Sequence, residues 1–114
     1  MTRSPITTHV LDTALGRPAK GVALVLERQQ HSDWIPIGAG ETDEDGRCLT
    51  LLAPGTLQQG VYRLSFGLDR YFETTGRRSF YPEATIIFRV DAHEEHYHVP
   101  LLLAPFGYTT YRGS

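Results

Sequence analysis

The residues best suited to chemistry in this 114-residue chain are its five histidines. An imidazole titrates near neutral pH, so it can take a proton from water or give one to a leaving group. His9 lies in a predicted strand, while His96 and His98 are two residues apart at the start of another and are expected to share one face of it. His31 falls in a predicted hairpin turn and His93 in a predicted loop, and both are expected to be solvated. Spacing alone leaves His9 and His98 as candidates for acid–base chemistry.

The run from His93 to His98 also permits a metal-binding interpretation. The helical zinc-protease motif needs two histidines four residues apart with a glutamate beside the first, whereas the spacings here are three and two. Charged, histidine-rich loops are more often solvated than metal-binding. A metal-binding β protein that uses His93, His96 and His98 is therefore an alternative, and elemental analysis of untagged protein tests it.

Arg47 is a third candidate, and it directly follows the acidic turn at residues 43–46. A guanidinium can hold a planar, anionic or carbonyl-rich ligand through two parallel hydrogen bonds. An exposed arginine at a strand edge looks the same in a sequence, so spacing alone leaves both interpretations open. The acidic turn lacks the twelve-residue ligand series and the closing glutamate of a calcium loop, and it therefore predicts a turn only.

The last four residues, Tyr111-Arg112-Gly113-Ser114, have an unusual composition for the end of a chain. They offer a phenol, a guanidinium, a flexible glycine and a hydroxyl. The preceding segment is aromatic and β-branched, which indicates a strand. Chain ends are usually frayed, but a strand that continues to the last few residues can hold them in place. Held in this way, their polar groups can line a site.

The elements that position these residues are predicted to be short β-strands. Eleven glycines and seven prolines separate short segments rich in Val, Ile, Leu, Thr and Tyr, a pattern typical of an antiparallel β-sandwich or barrel. One short helix is predicted, with Asp69 as its N-cap and Gly76 as its C-terminal stop. The eight predicted strands cover residues 6–11, 22–29, 34–42, a short stretch from 47, 60–66, 85–90, 97–103 and 107–111.

Length and composition limit the classes of protein that this chain can belong to. Its length indicates one domain over residues 1–114. Eleven basic against thirteen acidic residues, with no basic run, argue against a nucleic-acid partner. No apolar stretch reaches the roughly 20 residues that span a bilayer, and the N-terminus lacks a signal-peptide core, so a cytoplasmic location is expected. The single cysteine, Cys48, rules out an intrachain disulfide framework and is expected to be a small buried hydrophobe.

Two stretches of the sequence, taken together, resemble a known family. They are residues 9–19, His-Val-Leu-Asp-Thr-Ala-Leu-Gly-Arg-Pro-Ala, and the terminal Tyr-Arg-Gly-Ser, with support from residues 42–47, 81–83 and 98–102. With them the chain resembles the 5-hydroxyisourate hydrolases, the transthyretin-like enzymes of urate breakdown, from near residue 6 to its end. The terminal tetrapeptide and the histidines distinguish this resemblance from one to transthyretin, the hormone carrier of the same fold.

The resemblance implies a fold, an assembly and a reaction. The fold is all-β and transthyretin-like (prealbumin-like), a two-sheet sandwich of eight strands with one short helix. The assembly is a homotetramer, a dimer of dimers, whose sites lie at the subunit interface. The reaction is ring opening of 5-hydroxyisourate by water at a ring amide carbonyl, which gives 2-oxo-4-hydroxy-4-carboxy-5-ureidoimidazoline in purine degradation. Neither a metal nor an organic cofactor is implied.

The resemblance also implies roles for five residues. His9, His98, Arg47 and Ser114 are expected to be catalytic, and His9, Arg47 and Tyr111 are expected to bind substrate. The two histidines would polarise and deprotonate water, and the arginine would stabilise the charge that develops on the substrate oxygen. Which histidine is the base stays open. The alternative function is a non-catalytic transthyretin-type carrier, since one fold hosts many functions, although a carrier needs an apolar channel rather than paired histidines.

Overall fold

Residues 4–114, the part of the chain that the computed structural model describes, form nine strands and one short helix. All eight predicted strands are present. The ninth, β2, is two residues long and was not predicted, because so short a segment shows no alternation of polar and apolar residues. The elements are β1 (Ile6–Asp12), β2 (Arg17–Pro18), β3 (Ala23–Gln30), β4 (Asp33–Glu41), β5 (Arg47–Cys48), β6 (Gly60–Gly67), α1 (Asp69–Thr74), β7 (Glu83–Val90), β8 (Tyr97–Ala104) and β9 (Gly107–Thr110).

The strands form two sheets, which confirms the predicted all-β, two-sheet architecture. The four-stranded sheet has the order β4-β3-β6-β7. The five-stranded sheet has the order β2-β1-β8-β9, and β5 also pairs with β1. Within the described residues, β1 and β8 are the parallel pair, with Ile6 opposite Tyr97 and Asp12 opposite Leu103, while the other pairings are antiparallel.

The core lies between the two sheets and is built by alternation along each strand. Leu64 and Phe66 of β6, in the four-stranded sheet, are fully buried. Val10 of β1 and Leu101 of β8, in the five-stranded sheet, are fully buried as well. Burying a leucine or phenylalanine side chain stabilises the fold by roughly 1.5–3 kcal/mol. Because successive side chains of a strand point to opposite faces, every second residue of β1 and β8 faces away from this core.

The helix α1 covers one end of the sandwich with the buried side chains of Tyr71 and Phe72. The predicted N-cap was wrong: Leu68 occupies that position without a side-chain hydrogen bond, and Asp69 lies in the first turn, where a carboxylate still favours the helix dipole. The predicted stop is confirmed, since Gly76 follows the last turn with a φ of +68°. At six residues, α1 is far too short to cross a bilayer, and the described chain has no other helix that could.

Asp12, the last residue of β1, joins the five-stranded sheet to the helix. Its carboxylate is fully buried, accepts a hydrogen bond from Tyr71 Oη at 2.7 Å, and accepts backbone N–H bonds from Ala14 and Leu15 at 3.1 Å. The guanidinium of Arg77 donates to both of its oxygens. Burial raises the pKa of the Asp12 carboxyl, but the hydrogen bonds from Arg77 and Tyr71 outweigh burial, and the net effect lowers this pKa. Burial and the bond to Asp12 raise the pKa of Tyr71 to about 12.

We expect Arg77→Leu to lower the free energy of unfolding by about 3 kcal/mol near neutral pH, because it removes one partner of a buried ion pair. The lowered pKa of Asp12 means that this stabilisation is present above the carboxyl's unfolded pKa of about 3.9 and is lost as pH falls through the folded pKa. The difference between variant and wild type should therefore shrink below about pH 4. Urea unfolding at a fixed protein concentration measures both effects.

The control for this prediction is Lys20→Ala. Lys20 pairs with Glu44 at 3.5 Å, and both side chains are largely exposed, so we expect no measurable change in stability. The role assigned to the buried pair is contradicted if Arg77→Leu behaves like this control, or if its cost is the same in acid as at neutral pH.

Candidate functional site on the outer face of the five-stranded sheet

His9 and Arg47 lie opposite each other on the antiparallel strands β1 and β5. Directly opposed residues in such a pair share a face, with their Cβ atoms about 5 Å apart. Both side chains are partly exposed, whereas the adjacent Val10 and Cys48 are buried in the core. The histidine and the arginine therefore face outwards together, and the expectation of a buried cysteine is confirmed.

The acidic turn before β5 holds Arg47 in this position. The Asp43 carboxylate accepts backbone N–H bonds from Asp45 at 2.9 Å and from Arg47 at 3.0 Å. Gly46 has a φ of +76°, and a Cβ there would lie 2.5 Å from the carbonyl oxygen of Val10, so the position requires glycine. The carbonyl oxygen of Gly46 accepts the N–H of Val10 at 2.7 Å, which ties the turn to β1. The prediction of a turn is confirmed.

His98 lies beside this pair on the next strand, β8. In the parallel register Thr7 is opposite His98 and His9 is opposite Pro100, so the two histidines are diagonal neighbours on the outer face. Thr7 is completely buried, and its hydroxyl oxygen is 2.9 Å from Nδ1 of His98 and 2.9 Å from Nε2 of His96. One hydroxyl thus links two imidazole rings at the edge of the group.

The segment after β9 runs along the other side of His98. Gly113 pairs with His98 in the register of the β8–β9 ladder, and its N–H donates to the carbonyl oxygen of His98 at 2.8 Å. A Cβ on Gly113 would lie 2.6 Å from Cδ2 of His98 and 3.1 Å from Cγ of Pro100. The close approach therefore depends on glycine. Ser114 follows directly and is exposed.

Arg112 attaches this segment to the residues that lead into β8. Its Nη2 donates to Oε1 of Glu95 at 2.8 Å, and its guanidinium lies 4.4 Å from the centre of the Tyr97 ring. The hydrogen bond to Glu95 raises the already high pKa of Arg112. Because the ion pair is more than half exposed, its contribution is to orient the segment rather than to stabilise the fold. The segment is held in place, as predicted.

Tyr111 lies in a different part of the surface. It is 56% exposed and lines a cleft of about 260 Å³ between the edge strands of the two sheets. The structure thus groups His9, Arg47, His98 and Gly113 on the outer face and places Tyr111 along this cleft. The other lining residues come from β7, β8 and the end of β9: Ile86, Ile87, Phe88, Arg89, Tyr97, Val99, Thr110 and Arg112.

The residues of the metal-binding alternative are not gathered into a ligand cluster. Among residues 4–114, no three His, Cys, Asp or Glu side chains are close enough together to hold a metal ion. His93 is exposed, and its Nδ1 lies 3.5 Å from a carboxylate oxygen of Glu94. This side chain is solvated, as the loop position predicts.

Sequence reasoning did not single out Thr7. Its alternation with His9, and that of His96 with His98, are both visible in the sequence. What the sequence does not show is that β1 and β8 pair in parallel with Thr7 opposite His98, because that contact is between residues far apart in the chain.

Known proteins are similar to this chain over nearly its whole length. The model of the HIUase/Transthyretin family matches residues 6–113. A 5-hydroxyisourate hydrolase from Mus musculus is 46% identical over 113 residues, covering 97% of this chain and 96% of the relative. A 5-hydroxyisourate hydrolase from Ralstonia nicotianae is 42% identical over 114 residues, covering 96% of this chain and 97% of the relative.

Solved structures share the fold and include both an enzyme and a transthyretin. The 5-hydroxyisourate hydrolase of Klebsiella pneumoniae superimposes with a TM-score of 0.84 and 35% identity, covering 100% of both chains. Transthyretin from Sparus aurata superimposes with a TM-score of 0.90 and 32% identity, covering 96% of both chains. The predicted transthyretin-like sandwich is confirmed, and this chain belongs to the HIUase/Transthyretin family.

Proposed function

We propose that this protein hydrolyses 5-hydroxyisourate, with water attacking a ring amide carbonyl to give 2-oxo-4-hydroxy-4-carboxy-5-ureidoimidazoline in urate degradation. The observation that carries the proposal is the meeting of His9, Arg47 and His98 on one outward face, supplied by three different strands. Support comes from relatives named 5-hydroxyisourate hydrolase that match this chain over nearly its whole length. The proposed reaction uses these side chains and water, without a cofactor.

The two histidines are suited to the proton transfers of the reaction. Water is a poor nucleophile, and a neutral imidazole can remove its proton at the working pH. Diagonal neighbours in a sheet lie roughly 7–8 Å apart, which leaves space for a water or a substrate atom between the rings of His9 and His98. In our proposal one ring activates water while the other polarises the attacked amide or protonates its nitrogen as the ring opens.

Arg47 supplies the positive charge of the proposed site. Its guanidinium shares a face with His9 and can donate two parallel hydrogen bonds to the oxygens of a planar ring. Attack of water turns the carbonyl oxygen into an oxyanion, and a cation placed beforehand stabilises that charge more than it stabilises the ground state. We propose that Arg47 both binds the substrate and stabilises this oxyanion.

The chain's last residues complete the site in this proposal. Ser114, next to the residue that pairs with His98, hydrogen-bonds a histidine or the attacking water, and Tyr111 flanks the substrate. We further propose one hydrolase domain over residues 1–114 that works in the cytoplasm as a homotetramer, a dimer of dimers, with sites shared at the subunit interface. Large exposed apolar side chains, Phe106 at 73% and Leu15 at 47%, support an assembly that covers them.

A transthyretin-type carrier is the competing function. Sparus aurata transthyretin shares the fold, but the relatives that match over nearly the whole chain and are named above are 5-hydroxyisourate hydrolases. Two histidines that share a face with an arginine fit proton transfer better than they fit an apolar binding channel. Turnover separates the two functions, because a carrier leaves the substrate's ultraviolet signal to decay at its spontaneous rate.

We expect His9→Ala and His98→Ala each to lower kcat/KM about 10²–10⁴-fold, the range that general acid–base catalysis supplies. The decay of ultraviolet absorbance of freshly made substrate, corrected for the spontaneous rate, measures this effect. His31→Ala is the control: this histidine is exposed in the β3–β4 hairpin and should keep the wild-type rate. Wild-type rates in both site variants would remove the two histidines from the mechanism.

We expect Gly113→Ala to lower kcat about tenfold or more, because the new Cβ must displace the His98 ring or the terminal segment, and displacements near 1 Å can cost about 10²-fold. Gly107→Ala, at the start of β9, is the matched control, since a Cβ there meets no atom within 4 Å. The same assay measures both variants. Equal rates for Gly113→Ala and Gly107→Ala would show that the contact with His98 does not matter for catalysis.

A further inference from the structure

Thr7 lies where it can determine which nitrogen of His98 carries a proton. Its side chain is completely buried, and among the described residues the hydrogen-bond partners of its hydroxyl are Nδ1 of His98 and Nε2 of His96, each at 2.9 Å. A hydroxyl has one hydrogen to donate and lone pairs with which to accept. A buried hydroxyl is rarely left without an acceptor for its hydrogen, so Thr7 donates to one ring and accepts from the other.

The contacts of the His98 ring determine the direction in which its Nε2 points. Nδ1 faces Thr7 on β1, and Cδ2 faces Gly113 on the opposite side. Nε2 is at the end of the ring farthest from the backbone, so it points away from the sheet on the face that carries His9 and Arg47. We therefore expect this nitrogen to be the one that meets substrate or water in the proposed reaction.

Two arrangements of hydrogens satisfy the Thr7 hydroxyl. If Thr7 donates to Nδ1 of His98, a neutral His98 carries its proton on Nε2 and cannot accept one there. If Nδ1–H of His98 donates to Thr7, the lone pair of His98 is on Nε2, and the Thr7 hydrogen goes to Nε2 of His96. The second arrangement makes His98 a base toward the outer face, and it requires an acceptor at His96.

We propose that Thr7 and His96 are positioning residues that hold His98 in the tautomer with its proton on Nδ1 and its lone pair on Nε2. The inference rests on the proposed hydrolysis, in which a histidine of this face takes a proton from water. As it does so, the forming imidazolium keeps its Nδ1–H···O bond to Thr7, and hydrogen bonds to a charged donor are stronger than neutral ones. Thr7 therefore contributes more in the transition state than in the ground state.

The first test compares two variants of Thr7. Thr7→Val keeps the shape of the side chain and removes the hydroxyl, and we expect kcat to fall about tenfold or more, within the range of general acid–base catalysis, with KM nearly unchanged. Thr7→Ser restores the hydroxyl and should recover most of kcat. Thr8→Val is the matched control: Thr8 is also fully buried, but its hydroxyl donates to the carbonyl oxygen of Val99 at 2.5 Å, so its loss should affect stability rather than kcat.

The second test reads the tautomer without any turnover. Ring ¹⁵N chemical shifts of His98, measured above the pKa of the ring, should show Nδ1 protonated in the wild type and a shift of the proton toward Nε2 in Thr7→Val. His96→Leu removes the ring that accepts the Thr7 hydrogen. It should also lower kcat and move the His98 proton toward Nε2. This variant replaces Thr7→Val if Thr7→Val does not fold.

Each outcome has a defined meaning. A wild-type kcat together with wild-type ring shifts in Thr7→Val and His96→Leu overturns the inference, and so does a kcat loss that Thr8→Val reproduces. A wild-type protein that does not turn over 5-hydroxyisourate overturns the proposed function instead, and the ring shifts then still decide whether Thr7 sets the tautomer of His98.

Discussion

The parallel pairing of β1 with β8 determines which side chains share the outer face of the five-stranded sheet. Seven consecutive residue pairs, from Ile6 with Tyr97 to Asp12 with Leu103, fix one register. Because side chains alternate with a period of two, a slip of one residue in β1 would bury His9 and turn Val10 outwards. Burial of the apolar residues on the inner face thus holds the histidines on the outer one.

Parallel strands cannot be joined by a tight turn, so the chain between β1 and β8 must make a long crossover. It uses that length to build the whole four-stranded sheet and α1, which cover the inner face. The network around Asp12 closes this arrangement at the end of β1, where the buried carboxylate meets Tyr71 of the helix and Arg77 after it. The same strand therefore carries a proposed catalytic side chain on one face and a structural ion pair at its end.

Most of the fold could be predicted from the sequence, because alternation in strands such as β6, with Tyr62, Leu64 and Phe66 on one side, is a strong local signal. The misses were local and short. The two-residue β2 shows no alternation of polar and apolar residues. The helix α1 begins after Leu68 because burial of Tyr71 and Phe72, rather than a capping side chain, determines its position. Tertiary packing overrides capping preferences in so short a helix.

The candidate site was predictable by residue type and not by arrangement. Histidine and arginine chemistry identified His9, His98 and Arg47, but no local pattern shows that β1 lies between β5 and β8. Thr7 was not identified for the same reason, because its proposed role depends on a contact with a strand about ninety residues away in the sequence. The contact of Gly113 with the His98 ring is likewise a long-range property, visible in the sequence only as a glycine near the end of the chain.

The measurement that most directly tests the proposed site is a crystal structure of the protein with a non-hydrolysable, purine-like analogue of the substrate. We expect the planar ring to lie on the outer face of the five-stranded sheet, with Arg47 bonded to its oxygens and Nε2 of His98 directed at the attacked carbon or its water. We also expect Ser114 to lie within hydrogen-bond reach of that site. An analogue bound instead in the cleft between β7 and β9, away from His9 and His98, would contradict the proposed mechanism.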